Sequence, residues 1–142
     1  MKKMLVFVFP LLPPLLPLFF WSGRADAQIA KEKPLMTKIL PDIAGEEGLI
    51  ETVDLAPGEV DPPHRHNADV FAYVLEGSIV TQLEGHKPQT VHAGEAFYES
   101  PADVHIASRN ASATQPARLL VFFVKKVGAP TTVAVTSVNA AR

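Results

Sequence analysis

Residues 62–77 read "PPHRHNADVFAYVLEG", and the spacing inside that stretch decides how the rest of the chain is read. His64 and His66 stand one residue apart, and the apolar run "DVFAYVLE" then ends at Gly77. Side chains two apart in a strand share a face, so both imidazoles point the same way, toward the interior if the apolar face follows them. Two imidazoles on one face at the opening of a strand form a chelate that needs little rearrangement. Imidazole suits zinc, iron, copper, nickel and manganese to differing degrees. Spacing alone leaves open a pair of polar loop histidines.

Outward from this stretch the chain is a series of short strands broken by turn residues. "LIETVDL" alternates, "APGEVDPP" interrupts it, and Gly77 turns "DVFAYVLE" into "SIVTQLE". "QTVH", "AFYE", "VHIASRN" and the strongly apolar "RLLVFFVK" follow, separated by "GHKP", "AGE", "SPAD" and "ASATQPA". Short strands at this spacing, with no helical period, predict an all-β single domain built as a sandwich or barrel. Phe71 and Tyr73 share one face of their strand and Ala72 and Val74 the other, so each face is expected to pack against something.

Three further histidines differ in promise. His105, in "PADVHIASRN", opens a strand far enough along the chain to lie beside the first pair in a folded sheet. Its convergence would give three nitrogens with open positions for water, substrate or oxygen, as catalytic metals have. The alternative is a surface histidine beside Pro101 and Asp103. His86, in "EGHKPQ", and His92, in "VHAGE", sit in turns and read as non-ligands.

Gly58, His64-Arg65-His66 and the closing Gly77, followed by "HAGEAFYESPADVHIASRN", resemble the two motifs of the cupin superfamily from about Gly48 to Lys125. The resemblance implies a jelly-roll-like cupin-type β barrel with one divalent metal ion (Fe, Mn, Zn, Ni or Cu), commonly held by three histidines and a glutamate. His64, His66 and His105 match the histidines. The glutamate position is Val70, which cannot ligate, and Asp69 points to the opposite face unless a bulge intervenes. On this reading the site is left open and more cationic. Asn110 falls one residue beyond the motif's spacing, and no role is carried over to it.

Other groups bear on a pocket. Tyr98, Phe97, Gln82 and Arg109 fall on strands that a barrel would bring near its mouth or wall. Arg109 has the parity of His105, which permits an inward fork for a carboxylate as well as an exposed strand-end charge. Tyr98 and Asp69 are the nearest candidates for a general base, and both are poor ones.

The 142 residues give room for one domain. Met1-Lys2-Lys3, the apolar run to Trp21 and the small residues of "ADA" at 25–27 predict an export signal over residues 1–27. Its prolines argue against a regular membrane-spanning helix. Cleavage would remove three positive charges and one negative, taking the net charge of −2 to −4. A mildly acidic domain without a basic run gives no electrostatic case for nucleic acid. The absence of cysteine suits a periplasmic or secreted location without disulfides.

Residues 28–47 read as a lead-in with one edge strand, "LMTKIL", 48–126 as the cupin-type domain, and 127–142 as a tail with a last edge strand. Edge strands make a homodimer an expectation, and the membrane enters only through the export signal. Three functions compete. One is a mononuclear metalloenzyme, dioxygenase-like or isomerase-like, acting on a small oxygenated or carboxylated compound. Another is a non-catalytic periplasmic module binding a small molecule or a metal. The third is a barrel whose histidines are polar rim residues.

Overall fold

A computed structural model describes residues 30–136. The expected export signal, and the end of the tail, lie outside the described residues. The strands are β1 (Lys31–Ile39), β2 (Glu46–Leu55), β3 (Val60–Asp61), β4 (His64–His66), β5 (Ala68–Glu76), β6 (Ser78–Leu83), β7 (Gln89–His92), β8 (Ala96–Glu99), β9 (His105–Asn110), β10 (Ala117–Lys126) and β11 (Thr132–Ala134). One sheet has the order β1-β2-β10-β5-β8 and the other β11-β4-β9-β6-β7, with β3 also on β9. The sheets face each other as a jelly roll, each hydrogen-bonded within itself rather than closed into one continuous barrel.

Period-two patterning explains which faces meet. On β5 Ala68, Val70, Ala72 and Val74 are buried, and on β10 Ala117, Leu119, Val121 and Phe123 join them. Ile79 of β6 and Val91 of β7 belong to the same core. The opposite face of β5 is open: Phe71 and Tyr73 are exposed, and Phe71 packs only sideways on Tyr98 and Phe122, with ring centroids 5.2 and 6.3 Å apart. The expectation that both faces of β5 pack therefore fails on this side, because the second sheet covers one face alone.

β1 is longer than "LMTKIL", exposed along its length, and pairs with β2 on one side. Pro34 and a register shift between Pro34 and Met36 interrupt its ladder, as suits a sheet edge. β9 contains a second irregularity that matters more. Leu83 pairs with His105 and Gln82 with Ala107, so Ile106 is an extra residue in the ladder. A bulge of this kind reverses the side-chain parity beyond it. His105 and Asn110 are consequently both buried, while Arg109 is exposed.

Asn110 thus keeps the inward position despite its extra residue of spacing. Its Nδ2 lies 3.3, 3.0 and 2.8 Å from the carbonyls of Leu55, Ala56 and Gln115, and its Oδ1 accepts from Ser112 N at 2.9 Å. It fastens the loops at one end of the sandwich.

Candidate metal centre

β4 and β9 lie side by side in the second sheet, with His64 opposite His105. Arg65 between the two β4 histidines points out, so His64 and His66 share the inner face. The three side chains each place a ligand atom within 4.8 Å of the others. His64 and His105 are parallel, with centroids 4.9 Å apart, and His66 stands edge-on to His64 at 5.0 Å.

The other ring nitrogens are already engaged. His64 Nδ1 is 2.9 Å from the Pro62 carbonyl oxygen and His66 Nδ1 is 2.9 Å from that of Thr131. A carbonyl only accepts, so both Nδ1 atoms carry a proton and the neutral tautomer of each ring presents its lone pair at Nε2. His105 Nδ1 lies 3.2 Å from Thr81 Oγ1, which accepts from the corresponding tautomer. Metal-binding histidines typically anchor their second nitrogen in this way. Burial holds the His66 imidazole below its ordinary pKa, against the raising influence of Glu99 and the Thr131 hydrogen bond. That shift favours the neutral imidazole, the form a metal requires.

The structure adds a residue to which sequence reasoning assigned no role. Glu99 of β8 is buried, and its Oε2 stands 2.7 Å from His105 Nε2 and 3.5 Å from His66 Nε2. The expected all-nitrogen, more cationic site is therefore corrected: a buried carboxylate lies against two of the three imidazoles. Glu99 Oε2 and His105 Nε2 are both buried without a hydrogen-bond partner of acceptable geometry. Buried polar atoms are normally satisfied, and a cation between these groups would satisfy both. The donor set thus fits a divalent metal ion. A signal was present in "AFYE", where Glu99 shares parity with Phe97 and so sits on the core face. A charged group there needs a partner.

The histidines, Glu99 and Phe97 line one cavity of about 340 Å³ between the sheets, with Val70, Ala72, Ile79, Leu119, Val121 and Phe123 as apolar wall. Its size suits a small molecule. Glu51 of β2 lines it too, with Glu32 and Asp61, and no lysine or arginine does so among the described residues. Burial first, and then the neighbouring Glu32, push the Glu51 carboxyl up to about 7 despite the opposing Lys125.

Several anticipated pocket residues lie elsewhere. Tyr98 donates to Asp69 Oδ1 on the outer face, and that hydrogen bond raises the phenol pKa. Neither group reaches the cavity, so neither can serve it as a base. Arg109 points outward for the reason of parity given above. Gln82 donates instead to the His86 carbonyl. His86 and His92 are exposed, His92 Nδ1 lying 2.8 Å from Ser78 Oγ.

The sequence profile of the cupin domain matches residues 51–123, just over half of the chain. Solved structures similar to it include an oxalate oxidase in complex with glycolate, with 27% identity and TM-score 0.52, covering 61% of this chain and 45% of that one. A DMSP lyase from Ruegeria pomeroyi shows 23% identity and TM-score 0.53 over 61% and 42% of the two chains. An uncharacterized conserved Klebsiella pneumoniae protein with a double-stranded β-helix domain shows 16% identity and TM-score 0.58 over 80% and 90%. The present chain spans less than half the length of the oxidase and lyase chains. No curated protein sequence matches it.

Proposed function

This chain belongs to the cupin family, and from that premise we propose that it is an exported metalloenzyme whose mononuclear centre is held by His64, His66 and His105. The observation that carries the reading is the convergence of three anchored imidazoles on one cavity, where the buried His105 Nε2 faces Glu99 Oε2 without the geometry of a hydrogen bond. A divalent ion there would polarise a substrate oxygen or activate a bound one. The apolar wall from β5 and β10 lowers the local polarity on one side of the centre, which strengthens electrostatic interactions there. Glu51, facing the same space with a pKa near 7, is placed to hold or release a proton near neutral pH.

The lining also bears on the substrate. Four acidic residues and no lysine or arginine face the cavity among the described residues, so apart from the metal ion and its imidazoles a dianion would meet only acidic side chains. The glycolate held by the similar oxalate oxidase supports a small oxygenated acid. We therefore assign a small oxygenated compound carrying at most one negative charge.

The test is metal analysis by plasma mass spectrometry on protein purified without chelators, beside His105→Ala. About one metal ion per chain, lost in the variant, is the expected result. No metal in either protein, even after reconstitution, would overturn the metal reading. Screening the loaded protein for oxygen uptake or product formation with small mono- and dicarboxylates and neutral polyols then separates an enzyme from a binding cupin, which would retain ligand without turnover.

A further inference from the structure

We propose that Glu99 is the fourth ligand of this centre, supplying from β8 the carboxylate that the cupin motif places on β5 at the position of Val70. The inference rests on the metal reading above and extends it to a residue outside the three-histidine set.

The register carries it. β5 and β8 are antiparallel neighbours, and Val70 and Glu99 are directly opposed partners. Opposed residues stand on the same face with their Cβ atoms about 4.5–5.5 Å apart, so a carboxylate rooted at either position reaches the same volume. Val70 is almost wholly buried and fills the place that the motif glutamate would occupy. Glu99 crosses from the adjacent strand, bringing Oε2 within 2.7 Å of His105 Nε2 and 3.5 Å of His66 Nε2.

A simple Glu99–His105 hydrogen bond accounts less well for the geometry, since both facing atoms remain unsatisfied at that short separation. A buried nitrogen and a buried carboxylate oxygen that face each other in this way are suited to share a cation. The centre is then three imidazole nitrogens and one carboxylate oxygen, as in the motif, with the carboxylate exchanged between paired strands.

Cobalt(II) binding tests this without recourse to turnover. Affinity is measured by chelator competition, and coordination by the visible absorption of the bound ion, in the wild type, Glu99→Gln and the exchange variant Val70→Glu/Glu99→Val. Glu99→Gln preserves the side chain's shape, which separates ligation from packing. The expected result is one cobalt per wild-type chain, at least about tenfold weaker binding with an altered spectrum in Glu99→Gln, and recovery of both in the exchange variant. Unchanged affinity and spectrum in Glu99→Gln would overturn the role of Glu99 and leave a three-histidine centre standing. Absence of cobalt binding in the wild type as well would bring down the metal reading itself, and this inference with it.

Discussion

Replacing Gly77 with alanine tests how the β5–β6 turn meets the start of β10. Gly77 has φ +73°, in the left-handed region, where a Cβ costs roughly 1–2 kcal/mol. That Cβ would also lie 2.7 Å from the Pro116 carbonyl oxygen and 3.0 Å from Ala117 Cα. Both are backbone atoms, so relief requires moving β10, which carries Leu119, Val121 and Phe123 of the cavity wall. Overpacking of this kind adds roughly 1–3 kcal/mol. Gly85 is the control: its φ is +78°, but nothing lies within 4 Å of its added Cβ, so Gly85→Ala carries only the first cost.

Urea unfolding of both variants and the wild type, with chelator present, measures the difference. Gly77→Ala is expected to lose about 2–5 kcal/mol, a large share of the roughly 5–15 kcal/mol that holds a domain folded. Gly85→Ala is expected to lose about 1–2 kcal/mol. Equal losses would refute the close approach and reduce the motif glycine to a requirement of backbone conformation alone.

Asn110→Ala, which strips one buried and several part-buried backbone groups of their partner, should cost about 3 kcal/mol in the same unfolding assay with metal content unchanged. A loss below about 1 kcal/mol would contradict the fastening role. Glu51 links stability to pH, because the folded chain retains a proton that the unfolded chain gives up between about 4.5 and about 7. Stability should therefore fall as pH rises through that window, by at most about 3 kcal/mol, and level off above it. Glu51→Gln should flatten the profile, and parallel profiles for the two proteins would exclude Glu51 as the source. Tyr98→Phe should leave metal content and any turnover within about twofold of wild type, since its hydroxyl bonds to Asp69 outside the cavity; a tenfold loss of either would place Tyr98 at the site after all.

Much of the architecture was legible from local pattern. The alternation in "DVFAYVLE" and "RLLVFFVK" placed β5 and β10, and Gly77 marked the turn after β5. His64, His66 and His105 were identified as a set from spacing and resemblance, and the fold brings them together. Glu99 was not identified, although its parity with Phe97 put it on the core face. Arg109 was left between an inward fork and an exposed strand end, and Asn110 without a role, for one shared reason: counting along "VHIASRN" assumes an unbroken ladder, and the bulge at Ile106 reverses the count.

By itself the sequence determined an all-β chain, the strand faces that turn inward, and three histidines able to converge. These follow from side-chain periodicity, which depends on residues a few positions apart. Only the tertiary structure decided that Val70 lies opposite Glu99, that a carboxylate joins the imidazoles, and that Tyr98 and Asp69 stand outside. Cross-strand register is set by pairing between distant segments and by where a ladder slips, so no local pattern contains it.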